Sequence, residues 1–125
     1  MKKLIAVIED DDAIRNLYTA KLELEGFEVV SAEDGQAGLK LLEQRKPDLI
    51  LLDLRMPIMN GDEMLVKLRE TTWGASMRVI ILTNISRAEA PSSLRVLSVD
   101  RYLVKAHHTP QQIVEVVREV LHIRR

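Results

Sequence analysis

The sequence has 125 residues, of which 46% are hydrophobic and 30% charged, and its formal net charge is −1 at pH 7. This size and composition predict one globular domain with a real core, and the absence of cysteine excludes disulfides, thiolate metal sites and thiol catalysis. Because no basic stripe and no apolar stretch of membrane-spanning length stands out, we expect no direct nucleic-acid binding, no membrane insertion and a cytoplasmic location.

The first part of the chain predicts two strands, each followed by a helix. An apolar run at 4–8 leads into four consecutive acids at 9–12, and apolar residues then recur at helical spacing up to Gly26. Helix capping explains one or two of these acids but not four. A second, more polar run at 27–32 predicts a strand at the edge of the sheet, and a helix follows over 35–46.

The third predicted strand, at 49–52, is an unbroken apolar run that ends on Asp53. Such a run, with turn residues on both sides, is typical of a strand buried on both faces of a parallel sheet. Pro57 and Asn60-Gly61 predict a loop after it, and apolar residues within 64–68 predict the third helix.

The remaining chain predicts two more strands, at 78–83 and 101–104. Between them, a weaker, serine-rich helix is predicted over 87–97, with Pro91 near its start. A capping-box pattern beginning at Thr109 predicts the last helix. Five strands alternating with five helices favour a parallel sheet with helices on both faces, and therefore one α/β domain over residues 1–125.

Polar residues with complementary chemistry follow four of these strands. They are Glu9 and Asp10, Asp53, Thr83, and Lys105. The carboxyl ends of parallel strands meet at one edge, where such sheets bind ligands. Two carboxylates about 4 Å apart repel by roughly 4 kcal/mol at an effective dielectric of 20, and a hard cation such as Mg²⁺ offsets this. We therefore expect Asp53 to act as a nucleophile toward phosphorus, while Lys105 and Thr83 bind the phosphoryl oxygens.

Four motifs together resemble the receiver domain of the two-component response regulators, including the chemotaxis regulators. They are Val-Ile-Glu-Asp-Asp at 7–11, Pro-Asp-Leu-Ile-Leu-Leu-Asp-Leu-Arg-Met-Pro-Ile-Met-Asn-Gly at 47–61, Val-Ile-Ile-Leu-Thr at 79–83 and Tyr-Leu-Val-Lys at 102–105. The resemblance covers essentially the whole chain. It implies a flavodoxin-like, doubly wound fold with five parallel strands in the order 2-1-3-4-5.

The resemblance also implies a role for each residue of the site. Asp53 corresponds to the phosphoacceptor, Lys105 to the phosphate-pairing lysine, and Thr83 and Tyr102 to the switch residues. The implied ligands of Mg²⁺ (or Mn²⁺) are Glu9, Asp10, Asp53 and the backbone carbonyl of Arg55.

The implied function is a signalling switch rather than an enzyme with a separate substrate. A histidine kinase or phosphotransfer protein donates the phosphoryl group. The surface of the fourth helix, fifth strand and fifth helix then changes shape for a downstream effector or output domain, and phosphorylation-dependent homodimers are possible. Hydrolysis of the aspartyl phosphate resets the switch.

Some positions depart from the family pattern and keep other functions open. Asn84 replaces a small residue after the switch threonine, and Ala106 replaces a proline that follows Lys105 through a cis bond; we expect a trans bond here. These changes leave open a pseudo-receiver that acts only as a docking module. A Mg²⁺-dependent aspartyl-phosphate phosphatase is a second alternative, although Arg55 stands where its second acid is needed. A flavin- or nucleotide-binding module is a third alternative, but this sequence has no glycine-rich phosphate loop after the first strand, which such a module needs.

Overall fold

The structure, a computed structural model, describes residues 1–123. Its strands are β1 (Leu4–Ile8), β2 (Glu28–Ala32), β3 (Leu49–Leu52), β4 (Arg78–Thr83) and β5 (Arg101–Val104). They form one parallel sheet in the order β2-β1-β3-β4-β5. The predicted strand order is confirmed, and the more polar β2 lies at an edge as predicted.

Within residues 1–123, four α-helices connect or follow these strands, and three of them begin just after a residue whose side chain caps the helix. They are α1 (Asp12–Leu24), α2 (Gly35–Arg45), α3 (Gly61–Arg69) and α4 (Pro110–Leu121). The side chains of Asp11 and Asp34 accept hydrogen bonds from backbone N–H groups in the first turns of α1 and α2. The predicted capping box is present at α4, between Thr109 and Gln112.

The prediction of a helix over 87–97 is wrong. The segment contains two short 3-10 helices, Arg87–Glu89 and Ser92–Val96, that are separated by Ala90 and Pro91. Pro91 has no N–H to donate, and steric contact with its ring keeps the preceding residue out of the α conformation. Ala90 is accordingly extended, with φ −64° and ψ 148°. A continuous α-helix therefore cannot pass through this point.

The core consists of two apolar layers, one on each face of the sheet. Successive strand residues point to opposite faces, so Ile5 and Val7 of β1 contact one layer and Ala6 and Ile8 the other. The first layer includes buried residues of α1 and α4, and the second includes those of α2 and α3. Among residues 1–123, none of the helices has both the length and the apolar character needed to cross a bilayer.

A close backbone approach at Gly61 places α3 directly behind the end of β3. The Gly61 N–H donates to the Leu54 carbonyl over 2.9 Å. A Cβ atom at this position would lie 2.1 Å from the carbonyl oxygen of Asp53. Only glycine allows this packing, which fixes the loop that carries the Asp53 side chain.

Candidate functional site

Three carboxylates converge at the carboxyl edge of the sheet. Glu9, Asp10 and Asp53 each place one carboxylate oxygen so that all three oxygens lie within 4.8 Å of one another. Glu9 and Asp53 are buried, whereas Asp10 is exposed. The pocket around them has a volume of about 400 Å³, and Thr83 and Lys105 also line it. The structure thus brings together residues from the ends of β1, β3, β4 and β5.

Lys105 joins two of these acids. Its Nζ donates to Oδ2 of Asp53 over 3.0 Å and also hydrogen-bonds Oε1 of Glu9, and its side chain is only 10% exposed. Burial alone lowers the pKa of Lys105, but the hydrogen bond to Glu9 and the charge of Asp53 outweigh it, so the pKa is raised. The ammonium group therefore stays charged and offsets part of the repulsion between the acids.

The Glu9 carboxylate is held by the backbone as well as by Lys105. Its Oε2 accepts a hydrogen bond from the Asp11 N–H over 3.1 Å. Burial raises the pKa of Glu9, and the hydrogen bonds from Lys105 and Asp11 only partly oppose this effect. Its position follows from β1, since the Glu9 N–H continues the pairing with β2 by donating to the Ala32 carbonyl.

The two carboxylate oxygens of Asp53 have different surroundings. Oδ2 faces Lys105, and Oδ1 is 3.4 Å from the backbone N–H of Arg55, which donates to it. The Asp53 N–H donates to the Ile8 carbonyl and so ties the residue to the neighbouring strand β1. Arg55 lines the same pocket, and the role of its carbonyl as a metal ligand stays a prediction.

Thr83 and Tyr102 both contact the backbone of Ile85. The Ile85 N–H donates to Thr83 Oγ1 over 3.4 Å, and the Tyr102 hydroxyl donates to the Ile85 carbonyl over 2.7 Å. Thr83 is 1% exposed, whereas Tyr102 is half-buried, and burial raises the pKa of Tyr102. The two predicted switch residues are therefore linked through one residue of the loop after β4.

Two of the positions that depart from the family pattern are Asn84 and Ala106, which directly follow the pocket residues Thr83 and Lys105. Asn84 is exposed and lines the pocket at its rim. Residues 1–123 contain no cis peptide bond, so the bond between Lys105 and Ala106 is trans, as expected. Lys105 reaches both acids from the start of a short 3-10 helix, Lys105–His107.

Sequence reasoning missed two residues at the site. The Arg15 guanidinium donates to the carbonyls of Glu9, over 2.9 Å, and Asp10, over 3.5 Å, and it forms an ion pair with Asp12. Its position three residues after Asp12 on α1 was the available signal for the ion pair. Glu89 also lines the pocket, but its place there depends on the 3-10 path of the segment that was predicted as a helix.

Comparison with known families explains this constellation. The family model described as "Response regulator receiver domain" matches residues 5–118. The chain is a response regulator receiver domain. The resemblance inferred from the four motifs is thereby confirmed, and receiver domains act as signalling switches.

The relatives of this receiver domain include longer proteins. It is 36% identical to the phosphate regulon transcriptional regulatory protein PhoB of Rhizobium meliloti (strain 1021). The alignment of 114 residues covers 90% of this chain and 49% of that protein. The chain spans about half the length of the curated relatives it matches.

Solved structures have the same fold. A CheY-like receiver domain from Methanospirillum hungatei JF-1 superimposes with a TM-score of 0.89 at 30% identity, over 98% of this chain and 95% of that one. The Mn(2+)-bound form of response regulator Rcp1 gives a TM-score of 0.80 at 26% identity, over 94% and 92% of the two chains.

Proposed function

We propose that this receiver domain accepts a phosphoryl group on Asp53 from a histidine kinase or a phosphotransfer protein. The observation that carries the proposal is the pocket in which the Asp53 carboxylate lies beside Lys105 and two further acids. A carboxylate is a competent nucleophile toward phosphorus when positive charge stands beside it. We further propose that the receiver domain extends over residues 1–125, whereas the family match covers 5–118.

Mg²⁺ or Mn²⁺ is the cofactor that the acids fit best. Three carboxylate oxygens within 4.8 Å form a hard oxygen site of the kind these cations prefer. The proposed ligands are Glu9, Asp10, Asp53 and the carbonyl of Arg55. The existence of a Mn(2+)-bound form of the similar protein Rcp1 supports a divalent cation in this domain. When bound, the cation neutralises charge that develops on the transferring phosphoryl group.

The side chains divide the work of phosphoryl transfer. An oxygen of Asp53 attacks phosphorus while the phosphorus–nitrogen bond of the donor's phosphohistidine breaks, and the imidazole leaves with the bonding electron pair. Lys105 already lies 3.0 Å from Asp53 and supplies its positive charge to the phosphoryl oxygens. Thr83, at the end of the neighbouring strand, supplies a hydroxyl donor. Water later cleaves the aspartyl phosphate and resets the domain.

The link through Ile85 is the proposed route from the phosphate to the surface. When the Thr83 hydroxyl turns to the phosphoryl group, it gives up the hydrogen bond that it accepts from the Ile85 N–H. The Ile85 carbonyl then moves with its peptide group and carries the hydroxyl of Tyr102 with it. The phosphoryl group shifts the equilibrium only because it contacts this second arrangement better than the first.

The proposed downstream partner is an effector or output domain. A second copy of the chain is also a proposed partner, in a homodimer that forms on phosphorylation. The surface expected for it comprises the 3-10 segment 87–96, β5 and α4, since the predicted fourth helix is absent from this segment. Longer relatives that are transcriptional regulators support an output domain. The proposed location is the cytoplasm, where such partners act.

Intact-mass measurement after incubation with acetyl phosphate and Mg²⁺ tests the proposal. We expect the wild-type protein to gain the mass of one phosphoryl group, whereas Asp53→Asn gains none. Asp62→Asn is the matched control, because Asp62 lies in the first turn of α3 and does not line the pocket. A wild type that stays unmodified would favour the pseudo-receiver, and equal modification of Asp53→Asn would place the phosphoryl group elsewhere.

A further inference from the structure

An open groove lies where the predicted fourth helix is missing. It has a volume of about 800 Å³ and runs between the 3-10 segment and β5. Leu94, Val99 and Tyr102 form an apolar floor that packs against the core. A concave site of this size is large enough to enclose several side chains of a partner. The groove is separate from the acidic pocket but shares the loop after β4 with it.

Three arginines surround this floor, and none of them has an acidic partner among the described residues. Arg87, Arg95 and Arg101 are all exposed and all line the groove. Over residues 1–123, no ion pair involves any of the three, whereas Arg15, Arg45, Arg78 and Arg118 are each paired with an acid. This local excess of positive charge occurs on a chain whose net charge is −1.

Asp100, the one acid among the described residues that line the groove, does not neutralise these arginines. The carboxylate of Asp100 accepts a hydrogen bond from the Val79 N–H over 2.8 Å and lies 3.8 Å from Arg78. Arg101 donates to the Asp100 backbone carbonyl rather than to its side chain. Three guanidinium groups therefore remain available to a partner.

We propose that this groove binds an acidic peptide segment of a partner protein, with an apolar side chain on the floor and carboxylates on the three arginines. The apolar floor favours a peptide over a nucleic acid, which needs a longer basic surface. A second copy placed symmetrically would set the same three arginines against each other, and like charges would repel. The inference names the partner chemistry within the proposed function, but the binding itself does not require phosphorylation.

Tyr102 couples the groove to the acidic pocket. Its ring belongs to the floor, the Arg87 guanidinium lies 5.8 Å from the ring centroid, and its hydroxyl holds the Ile85 carbonyl. A segment that contacts both Tyr102 and Arg87 therefore favours one position of the Ile85 loop. Movement of that loop on phosphorylation changes the affinity for the segment, and the segment in turn changes the ease of phosphorylation.

Selection from a random peptide library on the immobilised protein tests the proposal without assuming a sequence. We expect enriched peptides to carry Asp or Glu around one aliphatic or aromatic residue. Their fluorescein-labelled forms are then titrated in fluorescence anisotropy against a variant with Arg87→Gln, Arg95→Gln and Arg101→Gln. Binding should weaken by about 10-fold to 100-fold, since each such contact contributes roughly a factor of two to five, and high salt should weaken it further.

The control variant removes the same charge elsewhere. Lys3→Gln, Lys40→Gln and Arg45→Gln replace three exposed cations outside the groove and should leave the affinity unchanged. Circular dichroism checks that both triple variants are folded. Peptides that are neutral or basic, or acidic peptides that bind the groove variant as tightly as wild type, would overturn the proposal.

Two further measurements separate the other occupants and the proposed function. If sedimentation shows dimers that the groove variant abolishes, the groove binds a second copy of the chain. If oligonucleotides compete with the peptides, the groove binds nucleic acid. Either result would overturn the proposal. The acetyl phosphate assay is run in parallel. If the wild type binds acidic peptides but is not phosphorylated, the proposed function fails while this inference holds.

Discussion

Two of the proposed cation ligands, Glu9 and Asp53, also bind Lys105, and this overlap gives a test of the site. The substitution Lys105→Met keeps most of the apolar length of the side chain but removes the ammonium group. It leaves Glu9 and Asp53, which are 4% and 8% exposed at their side chains, without their shared counter-charge. The variant should therefore be less stable than wild type when no divalent cation is present.

The size of this effect follows from the geometry. At the 3.0 Å separation of Lys105 Nζ and Asp53 Oδ2, the attraction is roughly 5 kcal/mol at an effective dielectric of 20. Desolvation of the ammonium group opposes this attraction, and the open pocket lets water reach the acids. We expect a net loss of about 3 kcal/mol, which lowers the Tm of a domain of this size by about 10 °C.

Thermal melting in EDTA and in millimolar MgCl₂ measures both effects. Mg²⁺ should stabilise Lys105→Met more than wild type, because no ammonium group has to be displaced from the acids. Lys40→Met removes an exposed lysine of α2 that makes no ion pair within the described residues and serves as the control. The reasoning is refuted if Lys105→Met melts like wild type in EDTA, or if Mg²⁺ stabilises it less than wild type.

Four other substitutions probe the surroundings of the site. Arg15→Met removes the donor to the Glu9 carbonyl and should weaken Mn²⁺ binding in calorimetry by about tenfold. Arg69→Met removes two hydrogen bonds to the carbonyls of Leu97 and Ser98, just after the 3-10 segment, and a third to the carbonyl of Gly74; urea unfolding should show a loss of about 2 kcal/mol, and trypsin should cut the 3-10 segment faster. Gly61→Ala places a Cβ atom 2.1 Å from the Asp53 carbonyl oxygen and should cost about 3 kcal/mol or more in urea unfolding. Glu9→Gln tests pH dependence: because burial raises the pKa of Glu9 in the folded state above its ordinary 4.5, ionisation of Glu9 destabilises the fold. The stability of wild type relative to Glu9→Gln should therefore fall as pH rises from 4.5 through the raised pKa.

Each of these predictions has a control or a contrary result. Unchanged Mn²⁺ affinity in Arg15→Met would show that the acids do not depend on Arg15 for cation binding. Arg45→Met, which removes an exposed, ion-paired arginine, is the control. For Gly61→Ala, the control is Gly26→Ala. A Cβ atom at Gly26 has no neighbour within 4 Å, but φ there is +99°, so this variant measures backbone strain without crowding. If trypsin cuts the 3-10 segment of Arg69→Met no faster than that of wild type, then Arg69 does not hold this segment in place. If the stability of wild type relative to Glu9→Gln instead rises with pH, the predicted sign of the Glu9 effect is wrong.

Most of the fold was predictable because it follows from local patterns. Apolar runs such as 49–52 can be buried on both faces only as central strands, and the observed β3 matches that range. The capping-box pattern at Thr109 likewise predicts the start of α4, and the capping box is present there. The strand order came from the resemblance to receiver domains, and the sheet has that order.

The helix predicted over 87–97 shows where local reasoning failed. Its apolar spacing is compatible with a helix, but Pro91 interrupts the hydrogen bonding, and distant contacts hold the resulting turns. The Arg69 guanidinium donates to the carbonyls of Leu97 and Ser98, which are 28 and 29 residues away. No local pattern contains these partners.

Local patterns thus specified which residues end each strand and so which chemical groups stand at the carboxyl edge, because apolar periodicity and turn chemistry act over a few residues. They did not specify which groups bind one another. Lys105 contacts Glu9 across 96 residues of sequence and Asp53 across 52, and Arg15 reaches back to the Glu9 carbonyl. Those pairings depend on distances between strand ends that arise only when the whole sheet is assembled, since hydrogen bonds and ion pairs require atoms to meet within a few ångströms.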